Sequence, residues 1–219
     1  MSEVDQERIN KSIEIASDLV RVEKVAAKAP WLEIAEREYE IYKGKKETSK
    51  EKIIIDGQTY VSLYEKIQEY YKAAKYYYGK DRDTAKEAWC ASFVAYCIQE
   101  SGFVNSSNPS CGGYDWGPQR KENPKRGWRD GEGEETEKFI GAVASFKPKG
   151  GYTHAAILVG KTNSGNLVFL GGNQNSEIRL SAYSPDRIYK YMKPVSYEVS
   201  EEEYELPIID ISGGKDSID

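Results

Sequence analysis

An α+β fold is predicted by three observations: helical periodicity confined to the first half of the chain, strand-like runs confined to the second, and a long aperiodic stretch between them. The 219 residues are enough for one well-buried domain with decorations. The expected division is a helical extension over residues 1–29, a domain over 30–195 with an insert at about 105–135, and an acidic, partly disordered tail over 196–219. Hydrophobic content of 39%, charged content of 31% and a mean hydropathy of −0.70 describe a globular chain with a thoroughly polar exterior.

Residues 3–28 carry Ile9, Ile13, Ala16 and Val20 at helical spacing, and Pro30 closes the run. A second helix is predicted over 31–42, with Pro30 in its first turn and Gly44 ending it among lysines. Asp56-Gly57 between β-branched flanks marks a short hairpin. A tyrosine-rich helix over 63–78 ends at Gly79, and its Tyr70, Tyr71, Tyr76, Tyr77 and Tyr78 read as packing along a core edge. In the next helix, Cys90, Phe93, Val94, Cys97 and Ile98 form one amphipathic face, and Gly102 stands where a C-terminal cap belongs. Gly, Pro, Asn, Ser and charged residues then fill 105–135, the composition of a long surface loop that shapes a cleft. Strands follow at 139–146, 153–160, 166–171, 177–180 and 187–191, and residues 212–219 have the composition of a disordered terminus.

Several function classes are excluded at this level. A net charge of −5 and a pI near 5.3 leave no electrostatic footprint for nucleic acid, and the cluster Lys121, Lys125, Arg126 and Arg129 is followed at once by Glu132, Glu134, Glu135 and Glu137, as in a solvated loop. No run approaches the ~18 apolar residues of a membrane span, and the first residues lack the basic and apolar regions of a Sec signal. Three cysteines, Cys90, Cys97 and Cys111, are too few for a disulfide framework. A single histidine and the absence of CxxC pairing argue against a metal site, and no glycine run has the setting of a nucleotide loop, so no cofactor is expected.

The remaining chemistry is that of a thiol. Cys90 opens its helix, where backbone N–H groups and the helix dipole favour the thiolate. His154, the only histidine, precedes the apolar run 155–159 and is the one base available to it. Cys97, two turns further on, reads as a small buried hydrophobe, and Cys111 as a surface thiol. The turn at 161–165 makes a hairpin of the strands on either side, in a register that sets His154 opposite Asn173 with Cβ atoms about 4.5–5.5 Å apart. A shift by two would substitute Gly171 or Asn175. Gln174 belongs to the opposite face unless a bulge intervenes, which Gly171-Gly172 would permit. In a Cys–His–Asn arrangement the imidazole takes the thiol proton, the asparagine holds the other ring N–H, an acyl-thioester forms, and the Cys90 N–H contributes to an oxyanion hole.

Pro30-Trp31-Leu32-Glu33-Ile34-Ala35, Trp89-Cys90-Ala91-Ser92-Phe93-Val94, Thr153-His154-Ala155-Ala156-Ile157 and Gly171-Gly172-Asn173-Gln174 together resemble the cysteine, histidine-dependent amidohydrolase/peptidase (CHAP) family. That resemblance spans roughly residues 30–193 and implies a papain-like fold related to NlpC-type cell-wall peptidases, with the nucleophile helix packed on an antiparallel sheet. It implies Cys90 as nucleophile, His154 as base and Asn173 as the orienting polar residue. Trp89, Trp116, Trp128 and Gln174 are expected to contact substrate. Two departures stand out: residues 139–143 lack the Pro-Gly-Asp turn usual before the family's histidine strand, and Gly171 stands where many members have glutamate, so a neutral orienter is implied.

The implied substrate is peptidoglycan, cut at a stem-peptide amide or at the N-acetylmuramoyl-L-alanine bond. Made without a Sec signal, such an enzyme is expected to reach the periplasm of a target bacterium as a delivered effector toxin, with an immunity protein over the Cys90 cleft, or to leave as a phage lysin. The contrasting classes are a glycopeptide-binding module without turnover and a cytoplasmic thiol protease.

Overall fold

Three helices, eight strands and two short 3-10 turns occupy residues 28–75, 79–103, 132–150 and 153–211, the residues described in this computed structural model. Helix α1 (Pro30–Tyr42) starts where its proline dictates and buries Trp31, Leu32, Ala35 and Tyr42. The Trp31 Nε1–H donates to the Gly141 carbonyl at 2.6 Å, pinning α1 to the turn that leads into the main sheet. A hairpin of β1 (Ile53–Ile55) and β2 (Gln58–Tyr60) turns at Asp56 and Gly57, both at positive φ, as the Asp-Gly pair predicts.

Helix α2 (Leu63–Ala73) begins in a capping box between Ser62 and Glu65. It is shorter than the expected 63–78: Lys75 already lies at φ 56, and Tyr76, Tyr77 and Tyr78 fall outside the described residues. Tyr70 and Tyr71 are fully buried, in keeping with a packing role. Helix α3 (Cys90–Glu100) closes in a Schellman motif, with Gly102 N–H bonded to Gln99 O at 3.0 Å and Phe103 N–H to Ile98 O at 3.2 Å. The expected amphipathicity of this helix is corrected: every residue from Cys90 to Ile98 is buried. α1 and α2 cover the sides of α3 that the sheet does not, so even Ala91, Ala95 and Tyr96 are enclosed.

The main sheet is antiparallel throughout, ordered β3-β8-β4-β5-β6-β7, from β3 (Gly133–Thr136), β4 (Val143–Phe146), β5 (Ala155–Lys161), β6 (Leu167–Gln174), β7 (Glu177–Tyr183) and β8 (Ile188–Pro194). Helices ahead of an antiparallel sheet make this an α+β architecture. β3 lies at the end of the stretch expected to be loop. It carries no apolar alternation, and joins the sheet edge through pairing with β8 and the ion pairs Glu134–Lys193 and Glu135–Lys190.

The sheet is strongly curled. Phe146 on β4 and Tyr183 on β7 are three strand spacings apart, about 14 Å in a flat sheet, yet their ring centroids are 4.9 Å apart. Phe169 completes the aromatic cluster at 5.1 Å from Phe146.

The expected boundary at residue 195 is also corrected. Tyr197 packs edge-on against Trp31 at 4.7 Å and donates its hydroxyl to Glu203 at 2.6 Å, while the Lys161 N–H bonds to Pro207 O and the Ile209 N–H to Lys161 O. A Cβ at Gly160 would lie 2.6 Å from Pro207 O, so glycine is what lets this segment approach β5. The acidic side chains made the segment read as solvated, whereas its Tyr197, Val199, Leu206 and Ile209 pack on the core. Residues 1–27 and 212–219, with the expected first helix and terminal tail, fall outside the described residues. Among the described helices none is long and apolar enough to cross a membrane.

Candidate active site

Cys90 is the first residue of α3 and is 2% exposed. The N-cap position is held by Trp89, which places no side-chain hydrogen bond on the helix end, and the Phe93 N–H reaches back to Trp89 O at 2.9 Å. Cys90, Ala91 and Ser92 make up the first turn of α3, with their amides at the positive end of its dipole.

Trp89 does not meet the expectation of a substrate contact. It is fully buried, stacks on Tyr70 at 6.2 Å and donates Nε1–H to Glu47 Oε2 at 2.8 Å. Glu47 in turn accepts the Thr84 hydroxyl at its carbonyl and donates its N–H to Ser176 O in the β6–β7 turn. The segment after α1 thus ties the head of α3 to the tip of the β6–β7 hairpin. Nothing in the lysine-rich setting of Glu47 marked this role in the sequence.

His154 lies immediately ahead of β5, is 5% exposed and packs against Phe146 at 5.0 Å between ring centroids. The register expected for β5 and β6 holds at their centre, where Ile157 pairs with Leu170 and Leu158 with Phe169. It fails toward His154, because β6 bulges between Gly171 and Gln174. Asn173 takes up the extra residue at φ 56, a left-handed conformation that asparagine tolerates better than most side chains. Gln174 then occupies the place expected for Asn173, and its Oε1 lies 3.3 Å from His154 Nε2. The orienting contact expected from Asn173 is corrected to Gln174, and the expected substrate contact of Gln174 is corrected with it, since Gln174 is 1% exposed.

The bulge is where the two halves of the site meet. A Cβ on Gly172 would come within 2.4 Å of the Trp89 ring, and one on Gly171 within 3.3 Å of Gln174. Trp89, next to Cys90, and Gln174, bonded to His154, are therefore seated on the same few residues of β6. Tyr183 joins them: its hydroxyl donates to Gln174 Oε1 at 2.9 Å, and it lies within electrostatic reach of Cys90. Tyr183 went unnoticed because the strand was expected to end at Leu180; the alternation of Ser181 and Tyr183 beyond it was the available signal.

Burial pushes the His154 imidazole down to about 4, and the nearby Arg187 adds to the effect, while the Gln174 bond opposes it. The ring is then neutral at pH 7 and able to accept a proton. Because the folded state binds this proton less readily than the unfolded chain, stability contributed by the neutral ring is complete above pH 6.5 and is lost as pH falls toward 4, by about 3 kcal/mol in all. Urea titrations of the wild type and His154→Asn between pH 7 and 4 should show this increment in the wild type only; parallel curves would refute it.

Cys97 is fully buried, and burial raises its thiol well above the usual range, so it is a packing residue without nucleophilic character. Cys111, Trp116 and Trp128 lie outside the described residues. Among the described residues no group of three His, Cys, Asp or Glu is arranged to hold a metal ion.

Residues 80–173 match the family model of the CHAP domain. This segment is CHAP-like. The match begins ahead of α3, takes in Cys90 and His154, and ends at the residue before Gln174. CHAP domains are typically cysteine- and histidine-dependent amidohydrolases or peptidases, and the matched segment holds Cys90 at a helix head and the buried His154. No curated protein and no solved structure matches the chain.

Proposed function

We propose that this protein is a peptidoglycan hydrolase that cuts an amide bond with Cys90 as nucleophile, His154 as proton carrier and Gln174 as the residue that orients His154. The observation that carries this reading is the β6 bulge, which seats the head of α3 on one side and the Gln174–His154 bond on the other. With Nε2 directed at Gln174, the nitrogen left for chemistry is Nδ1. It takes the proton from the Cys90 thiol as Sγ attacks the substrate carbonyl, and the N–H groups at the head of α3 are the donors for the oxyanion. Nδ1–H then protonates the leaving amine, leaving an acyl-thioester on Sγ. Water attacks that ester as Nδ1 accepts one of its protons, the C–S bond breaks to release a carboxylic acid, and Nδ1–H returns the proton to Sγ, restoring the thiol and the neutral ring.

The test is mass spectrometry of soluble fragments released from purified sacculi by the wild type and by Cys90→Ala. Cys90-dependent fragments are expected, and their masses name the bond; no release across several wall chemotypes would overturn the reading in favour of binding or a protein substrate. The orienting role separates two neighbours. Gln174→Ala should lower the rate of release by roughly 10–100-fold, whereas Asn173→Ala should stay within about threefold of the wild type. The reverse order would place the contact back on Asn173.

A further inference from the structure

The amide of Gln174 is held on both sides. Its Nε2 donates to Arg179 O at 2.5 Å and faces the carbonyls of Phe169 and Gly171, each at 3.4 Å. Three acceptors around one atom require it to be the NH2, so the oxygen must face His154. That oxygen also receives the Tyr183 hydroxyl at 2.9 Å. The direction of this last bond follows from the amide oxygen, which can only accept, so the phenolic proton lies between Tyr183 and Gln174. Ser181 and Tyr183 alternate on β7, so both reach the same face of the sheet. The Tyr183 ring is held by Phe146 at 4.9 Å and Phe169 at 6.0 Å.

We propose that Tyr183 is a positioning residue: it locks the Gln174 amide so that Oε1 accepts from His154 Nε2–H, which fixes the imidazole in the tautomer that leaves the Nδ1 lone pair free to take a proton. The functional part of this inference rests on the proposed thiol mechanism; the hydrogen-bond order does not. Tyr183 acts through Gln174 and His154, and its effect on the reaction is on the fraction of the enzyme in the competent tautomer.

A single histidine in 219 residues makes the test direct, since every histidine resonance belongs to His154. Two-bond proton–nitrogen correlation spectra of 15N-histidine-labelled protein should show the wild type with its proton on Nε2 at neutral pH. Tyr183→Phe keeps the ring in the aromatic cluster and removes only the donor. Its spectrum should move toward a mixture of tautomers, and its maximal rate of fragment release from sacculi should fall about tenfold with the half-saturating sacculus concentration unchanged.

The proposal is overturned if Nδ1 carries the proton in the wild type, or if Tyr183→Phe leaves either the spectrum or the maximal rate as in the wild type. Should the wild type release no fragments, the hydrolase reading fails and the spectra alone decide the hydrogen-bond order.

Discussion

Cys90→Ala and His154→Ala should each lower the rate of wall-fragment release by about 10⁴-fold or more, and the double variant should be no slower than either single one. The expectation follows from the division of labour in the proposed mechanism. In that mechanism there is no acyl-thioester without Sγ, and without the imidazole nothing takes the thiol proton and the leaving amine has no acid. His154 is the chain's only histidine, so no other imidazole can stand in for it. Two groups that act as one unit are not additive when removed, which is why the double variant is the informative one. The measurement is a time course of soluble fragments from sacculi, with circular dichroism confirming that each variant is folded. Retention of more than a tenth of the rate in His154→Ala would remove it from the mechanism, and a double variant much slower than both singles would show that the two act separately.

Trp89→Ala should carry the largest cost to stability, about 3–5 kcal/mol. The indole is fully buried between Tyr70 and Gly172, and its removal leaves a cavity at the joint between α3 and β6. It also strips the buried Glu47 carboxylate of its indole donor, so a desolvation penalty adds to the lost packing. Trp89→Phe separates the two contributions: it keeps most of the ring volume, deletes Nε1–H, and should cost about 1–3 kcal/mol. Activity should fall with Trp89→Ala beyond what the unfolded fraction explains, because Trp89 is the residue through which Cys90 is seated on the bulge. Urea midpoints of the three proteins decide the first point, and a loss below about 1 kcal/mol for Trp89→Ala would contradict the packing described here.

Much of the scaffold was legible in the sequence because local signals and tertiary context agreed. Pro30 opens α1, Asp56-Gly57 turns the first hairpin, and Gly102 caps α3 at the predicted place. Cys90 at a helix head and His154 ahead of a strand followed from the same kind of reading. Less was legible where polar residues were held by distant partners. β3 and the segment after residue 195 are charged enough to read as solvated, and join the fold through pairing with β8 and with β5, two associations that carry no local periodicity. Glu47 belongs to the same class, a buried acid whose partner is a tryptophan 42 residues away.

By itself the sequence determined the α+β order of elements, the thiol and the one base available to it, since periodicity, turn chemistry and residue counts are properties of the chain alone. Only the tertiary structure decided that Gln174, held by Tyr183, faces His154 in place of Asn173, and that Trp89 is a buried wedge rather than a surface contact. The reason is physical: a strand alternates its side chains with a period of two, so a single extra residue in a bulge exchanges the faces of everything beyond it. Whether the chain bulges between Gly171 and Gln174 depends on what packs against that stretch, here the Trp89 ring on Gly172 and the clamp of Glu47 on the β6–β7 turn.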